Sequence, residues 1–399
     1  MKLIMILGAS ILQLPAIQKA KEMGLQVIAV DMDKNAIGFK YADICLEVST
    51  IDIPSVIEAA KKYKIDGVMT LASDMPMRTV AAISKEMGLI GITEDTAIKT
   101  TNKAVMRQCL KEYKVPIPDF FKAITKKQYL KVLGNFESKC IVKPADNSGS
   151  RGVFLIKNIS DKDLIDYAFE YSKKYSRNGE IIVESFMEGY EVSVETLSID
   201  GEVYVIQITD KLTTGGPRFV EMGHSQPSQL PNEIKKQIMI VAANAIKAVG
   251  IVNGPSHTEI MVTKEGIKII ELGARLGGDC ITTHLVPLST GVDMVKCCIQ
   301  LALGDKPDIK SKFLKGAAIQ YFETKKGRIT SVAGVDEASK LPGVKEISFV
   351  KHIGDITDGI YSSSDRIGFV IAQANDTQKA IAICKSAIKN ITIQLEDIK

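Results

Sequence analysis

The feature that most constrains this chain is a pair of glutamates set into apolar strands. In Glu259-Ile-Met-Val-Thr-Lys-Glu-Gly-Ile-Lys-Ile-Ile-Glu271, two short apolar runs flank Lys264-Glu265-Gly266. The pattern predicts a β-hairpin with one glutamate in each strand. A carboxylate among isoleucine, valine and methionine is costly to bury without a partner, so two of them facing each other ask for a cation. Hard oxygen donors select Mg²⁺ or Mn²⁺, and Mg²⁺ is commonly shared with substrate phosphates. Arg275 follows closely, and Gly277 and Gly278 allow a ligand close to the backbone. The alternative for the isolated segment is a hairpin with two solvent-facing glutamates.

Two upstream segments bear on that choice. Cys140-Ile-Val-Lys143-Pro144 reads as a strand, followed by the polar, glycine-rich Asn147-Ser148-Gly149-Ser150-Arg151-Gly152 and a second strand, Val153 to Ile156. Backbone N–H groups of such a loop can cradle phosphate oxygens, and Lys143 adds a point charge. No Gly-Lys-Ser/Thr opens a helix here, so this is not a Walker A loop; an ordinary hairpin turn is the alternative. Further on, Ile181 to Glu195 reads strand, turn, strand, with Glu184 and Glu191 bracketing Phe186 and Met187. Acceptors beside an apolar slot suit a purine and its ribose, although a glutamate-rich surface hairpin has the same pattern.

The order of these elements resembles the ATP-grasp superfamily, specifically its carboxylate–amine ligases of the biotin carboxylase and carbamoyl-phosphate synthase kind, from about Asn102 to Asp279. The resemblance implies a mixed α/β fold with a mobile lid, and ATP with Mg²⁺ or Mn²⁺ as cofactors. Lys103 and Lys143 match the two nucleotide-phosphate lysines. Ser148, Gly149, Ser150 and Gly152 match the loop that closes over the phosphates. Glu184 and Phe186 match the hinge that reads adenine, Glu191 the ribose carboxylate, Glu259 and Glu271 the metal ligands, and Arg275 the arginine near the transferred phosphate. Many members have Asn two residues after the second metal glutamate; here Gly273 stands there, which leaves one metal less fully held or a water in the gap. The implied activity is activation of a carboxylate as an acyl phosphate and its capture by an amine, with small-molecule partners and catalytic roles for Arg275 and Lys143. A phosphoribosylglycinamide synthetase is the second reading on overall layout, but its N-terminal glycine-rich histidine motif is missing. A nucleotide-binding module without turnover is the reading from another class, and the intact Lys143, Glu259, Glu271 and Arg275 argue against it.

Composition agrees with a globular protein. The 399 residues are 45% hydrophobic and 25% charged, and 51 basic against 47 acidic residues give a net charge of +4. That is too mild for a nucleic-acid partner. The seven cysteines form no Cys-x-x-Cys pair, and with four histidines no zinc constellation is visible. Reduced thiols point to a cytoplasmic protein, and Cys280 reads as a small core residue rather than a nucleophile. The apolar start is interrupted at Gly8-Ala9-Ser10, and no run reaches the roughly 18 residues of a membrane span. No membrane partner is expected, and a homodimer is compatible with the resemblance.

Three domains are expected. Residues 1–93 alternate strands (Leu3–Leu7, Gln26–Asp31, Gly67–Thr70) with helices (Pro15–Met23, Ile53–Tyr63, Met77–Met87), the pattern of a doubly wound parallel sheet. The Gly-x-Gly-x-x-Gly fingerprint fails there, because Ser10 and Gln13 occupy the second and third positions, which counts against a nicotinamide-dependent oxidoreductase. Loops after parallel strands face the ligand crevice, so Ser73 and Asp74 are candidate substrate contacts, with a helix N-cap as the alternative. Residues 94–304 form the ATP-grasp domain with a lid at about 119–183, its larger half starting at Glu184; residues 305–399 form a strand-rich domain. The stretch Thr209 to Ser225 is polar, glycine-rich and loop-like, and Arg218 and His224 within it are candidates to grip a carboxylate substrate. His257 is either a neighbour supporting the metal site or a plain strand residue.

Overall fold

A computed structural model describes residues 1–398. At the N-terminus, strands β1 (Leu3–Leu7), β2 (Gln26–Asp31), β3 (Ile44–Glu47) and β4 (Gly67–Thr70) pair in parallel in the order β3-β2-β1-β4. All five residues of β1 are buried, as a sheet covered by helices on both faces requires. Helix Ile53–Tyr63 starts where the Asp52 side chain accepts from Ser55 N–H and stops at Lys64, which is left-handed at φ 53°. The edge strand β3 was not expected: its four residues alternate half-buried and exposed and lack an apolar run.

The segment expected to be the lid forms a four-stranded antiparallel sheet of β5 (Phe120–Ala123), β6 (Cys140–Pro144), β7 (Phe154–Ile156) and β8 (Ile181–Ser185), ordered β5-β8-β6-β7. Helices Lys126–Leu133 and Lys162–Tyr175 pack on it around Tyr129, Phe154 and Phe169. Glu184 therefore belongs to the lid sheet and does not begin the larger half.

The body is one large sheet. Strands β9 (Gly189–Ile199), β10 (Glu202–Thr213), β11 (Glu221–Gln226), β12 (Gly254–Thr263) and β13 (Gly266–Gly273) are followed by β14 (Gly316–Tyr321), β15 (Lys326–Ala333), β16 (Val344–Phe349), β17 (Ile356–Asp358), β18 (Gly368–Ala374) and β19 (Thr392–Glu396). Eight of them join in the order β13-β12-β9-β10-β11-β14-β18-β16, while β17-β15-β19 make a small separate sheet. Strands β14, β18 and β16 thus extend the sheet that carries Glu259 and Glu271. The loop expected over Thr209 to Ser225 is mostly strand: β10 runs through Thr213, β11 resumes at Glu221, and only residues 214–220 connect them. The polarity had a different cause. Thr209, His224 and Gln226 point into a buried polar layer, where Gln226 Nε2 donates to Thr209 Oγ1 at 2.8 Å and Gln226 Oε1 accepts from Ser289 Oγ at 2.9 Å.

Among the described residues no single helix is long and apolar enough to cross a membrane, and all seven cysteines are free.

Gly316 starts β14 against the N-terminus of helix Thr377–Asn390. A β-carbon there would lie 2.0 Å from the Asp376 carbonyl atoms and 2.4 Å from Thr377 N. Because those atoms are backbone, Gly316→Ala should cost about 1–3 kcal/mol and lower the thermal midpoint more than Asp376→Ala, which removes one helix cap worth about 1 kcal/mol. A Gly316→Ala midpoint equal to the parent's would refute this docking.

Candidate active site

The β12–β13 register sets Glu259 directly opposite Glu271, with a bulge immediately after Glu259. Each carboxylate carries a lysine: Glu271 Oε1 lies 2.7 Å from Lys103 Nζ, and Glu259 Oε1 lies 2.8 Å from Lys211 Nζ. Lys211, on β10, is 2% exposed and also meets Glu191 at 2.6 Å and Glu221 at 3.5 Å. Burial works against its charge, but three carboxylates raise its pKa well above the usual lysine value. Glu191 and Glu259 share this one cation. Burial pushes both upward; Lys211 and His257 overcome it at Glu259, which stays well below the usual range, while at Glu191 burial and the negative neighbours prevail.

In the lid, Lys143 and Arg107 clamp Glu184. Lys143 Nζ lies 2.7 Å from Glu184 Oε2, Arg107 Nε donates to Oε1 at 2.6 Å, and Arg107 Nη2 donates to Ile270 O at 2.6 Å. Burial alone would raise the Glu184 pKa, yet the two cations hold it down at about 2. Burial is the largest influence on Lys143 and lowers its pKa, with Arg107 and Lys103 acting in the same direction and Glu184 and Glu271 against it. The Glu184 carboxylate is thus fully engaged by two cations, and two residues on the Phe186 ring centre lies 5.9 Å from that of Phe219.

Lys103 also fastens the phosphate-type loop: its N–H donates to Ala145 O at 2.7 Å and its Nζ to Asn147 O at 2.5 Å. Within that loop Gly149, Ser150 and Gly152 are all left-handed. Gly152 is fixed by space as well, since a β-carbon would lie 2.8 Å from Tyr175 Cβ, whereas Gly149 faces open space. A polar cavity brings together Asp74, Lys103, Ser148, Arg151 and Glu271.

The N-terminal domain reaches this cavity through the loop after β4. Asp74 Oδ1 accepts from Arg275 Nε at 2.8 Å. Burial opposes ionisation of Asp74, but Arg275 overrides it and holds the pKa low. The following helix is capped at Met75 without a side-chain bond, so Asp74 is an ion-pair partner and not the N-cap. Ser73 Oγ accepts from Gln13 Nε2 at 3.1 Å.

His224 is buried on β11, with Nε2 3.3 Å from Asp279 Oδ2. Asp279 in turn takes both Arg366 nitrogens at 2.7 Å; against its burial, Arg366 and His224 keep its pKa far below the carboxylate range. Arg218 lies elsewhere, on the 214–220 connector, its guanidinium 4.8 Å from the Tyr361 ring centre and 5.7 Å from that of Tyr171. Burial pushes the Cys280 thiol up to about 12, which suits a core residue and not a nucleophile.

Sequence reasoning missed four charged residues. Lys211 sits in a strand that was read as a loop. Arg107 is four positions after Lys103 and shares its helix face, a signal available but unused. Asp279 and Arg366 are 87 residues apart, and no local pattern links them.

The Glu184 clamp has a pH signature. A depressed carboxylate pKa contributes stability that is complete above the unfolded value of about 4.3 and is lost as pH falls through the folded value. Parent and Glu184→Gln should therefore differ most in stability above roughly pH 4.5 and converge as pH falls toward about 2. Denaturant titrations across that window check it; a constant difference would mean that the charge of Glu184 is not what matters.

Residues 136–283 match the ATP-grasp domain and residues 320–396 match the L-amino acid ligase C-terminal domain 2. The chain is 25% identical over 341 residues to the L-arginine-specific L-amino acid ligase of Bacillus subtilis, covering 83% of this chain and 81% of that one. It is also 25% identical over 371 residues to the phosphoribosylamine–glycine ligase of Caldanaerobacter subterraneus subsp. tengcongensis, covering 88% and 87%. The crystal structure of an L-amino acid ligase from Bacillus licheniformis shares the fold at a TM-score of 0.84 and 23% identity, over 100% of this chain and 99% of that one. Residues 136–283 thus carry an ATP-grasp domain, and over most of its length the chain is similar to carboxylate–amine ligases built on that domain.

Proposed function

We propose that the chain joins the carboxylate of one amino acid to the amine of another, consuming ATP with Mg²⁺. The observation that carries this reading is the C-terminal domain: its sequence matches the L-amino acid ligase domain, and its Arg366 reaches the catalytic sheet to hold Asp279 beside His224. In the first step a carboxylate oxygen attacks the γ-phosphorus, the bond to the β,γ-bridging oxygen breaks, and ADP leaves an acyl phosphate. In the second the amine nitrogen attacks the acyl carbon, phosphate departs, and the nitrogen loses a proton. Positioning and charge neutralisation do most of the work in phosphoryl transfer.

Lys103, Lys143 and the loop Ser148, Gly149, Ser150 and Gly152 would bind the phosphates, and Phe186 and Glu191 the adenine and ribose, with Glu184 holding Lys143 in place. The metal site fits: two carboxylates in register supply hard oxygens, and both already neutralise cations, Lys103 and Lys211. When bound, Mg²⁺ supplies charge neutralisation at the phosphates. Arg275, oriented by Asp74, would face the transferred phosphoryl group. His224, Arg218 and the Ser73–Asp74 loop would meet the amino acid.

A phosphoribosyl substrate fits less well. The turn after β1, where phosphates sit in doubly wound sheets, is filled by Gln13: its Oε1 accepts from Ser10 Oγ at 2.7 Å and its Nε2 donates to Leu71 O at 2.5 Å.

Phosphate release from Mg-ATP should require a pair of amino acids, with dipeptide detected by mass; release that needs phosphoribosylamine instead would overturn the reading. Glu271→Ala should abolish turnover while the fold is retained, and a variant that matches the parent at limiting Mg²⁺ would remove Glu271 from the metal site. Arg218→Ala should raise the KM for the acid far more than that for ATP, because a guanidinium fixes a carboxylate with two parallel hydrogen bonds. Equal changes in both constants would reassign Arg218 to its aromatic neighbours.

A further inference from the structure

Glu195 has no part in the reading above, yet it is a carboxylate at 0% exposure in the middle of the catalytic sheet. Strands β9 and β12 pair so that His257 lies opposite Glu195 and Glu259 opposite Ser193. Glu195 Oε1 is 2.7 Å from His257 Nδ1 and accepts from Ser193 Oγ at 3.0 Å; Oε2 has no hydrogen-bond partner among the described residues. The other ring nitrogen, Nε2, stands 3.6 Å from Glu259 Oε1. Gly277 lies directly over the pair, where a β-carbon would come within 2.7 Å of His257 Nδ1 and 2.9 Å of Glu195 Oε2.

The three side chains form a line, carboxylate to imidazole to carboxylate, running from the core to the metal-binding hairpin. A buried pair of this kind is poor evidence of net stabilisation, because desolvation consumes most of the attraction. Its geometric effect is specific: a bond at Nδ1 fixes the ring plane and decides where Nε2 points. The nearest contacts of Nε2 and of Lys211 Nζ to Glu259 both fall on Oε1, at 3.6 and 2.8 Å.

We propose that Glu195 and His257 are positioning residues for Glu259, holding its Oε1 so that Oε2 is presented to the divalent metal. This rests on Glu259 and Glu271 being the metal ligands. Outer partners of metal ligands contribute about 10- to 100-fold in affinity.

The test is Mn²⁺ binding by the full chain with ADP, read as loss of the free-Mn²⁺ electron paramagnetic resonance signal against an ADP blank. An asparagine amide nitrogen can take the place of Nδ1, and a glutamine amide nitrogen that of Nε2. His257→Asn, which keeps the Glu195 side and loses the Glu259 side, should weaken Mn²⁺ binding about 10- to 100-fold. His257→Gln should restore most of the affinity, and Glu195→Ala should weaken it with His257 intact. Thermal melts of each variant establish folding; if His257→Asn does not fold, Glu195→Ala carries the test. Parental Mn²⁺ affinity in His257→Asn or in Glu195→Ala, or a His257→Gln as weak as the Asn variant, would overturn the proposal. Glu271→Gln separates the two levels. If it loses Mn²⁺ while His257→Asn does not, only the positioning role fails; if it binds like the parent, the metal assignment fails and the positioning role with it.

Discussion

The constraint on which the rest of the molecule depends is that a β-sheet face lined with charge must stay charge-balanced while it is closed off from water. On the face formed by β13, β12, β9 and β10, the carboxylates of Glu271, Glu259, Glu191 and Glu195 lie within a few strand spacings. Lys103, Lys211 and His257 are set among them. Removing one member leaves its neighbours unpaired in a low-dielectric setting, where an uncompensated charge costs several kcal/mol. That interdependence ties elements far apart in sequence. Lys103 comes from the helix before the lid, Lys211 from the strand before the 214–220 connector, and the glutamates from the hairpin and β9. An incoming cation would meet carboxylates already held in place.

The same logic couples lid and body. Arg107 bonds simultaneously to Glu184 of strand β8 and to the Ile270 carbonyl of β13, next to Glu271. Lys143, on β6, completes the clamp. One guanidinium therefore links the β5–β8 sheet to the hairpin, and Lys143 is oriented by a carboxylate that is itself held from the body.

How much of this was legible follows from the range over which each contact acts. The Glu259–Glu271 pairing could be read because a short turn fixes hairpin register and both partners lie within one segment. The parallel N-terminal sheet was legible because apolar strands alternate with helices at conventional spacing. The strands around Lys143 and Glu184 could be read from their motifs, and β8 runs through Ser185, two residues past the expected limit, before the break at residues 186–188. Lys211, and the strand placement of His224, were hidden by a period-two pattern that is polar on the buried side, the reverse of the usual signal. Arg366 was invisible, because its partner Asp279 is fixed only by tertiary structure.

The segment from Arg275 to Asp279 is gripped from two sides. Arg275 is held by Asp74 of the N-terminal domain, and Asp279, four residues later, by Arg366 of the C-terminal domain. Between them Leu276 is buried and Gly277 lies against the Glu195–His257 pair. Asp279 and Cys280 are both left-handed, at φ 51° and 60°, and a turn of π-helix, Ile281–Leu285, follows. Consecutive left-handed non-glycine residues persist only where the surroundings over-determine them, and two charged anchors from separate domains do so here. The Arg275–Asp279 segment is thus held by side chains distant in sequence, Asp74 after β4 and Arg366 just before β18. Under the proposed function, the strands that carry Lys143, Glu259 and Glu271 would handle the nucleotide and metal, and the segments around Asp74 and Arg366 would meet the amino acid. Selectivity in this chain should accordingly follow the loops around Asp74 and Arg366 more than the strands that carry Glu259 and Glu271.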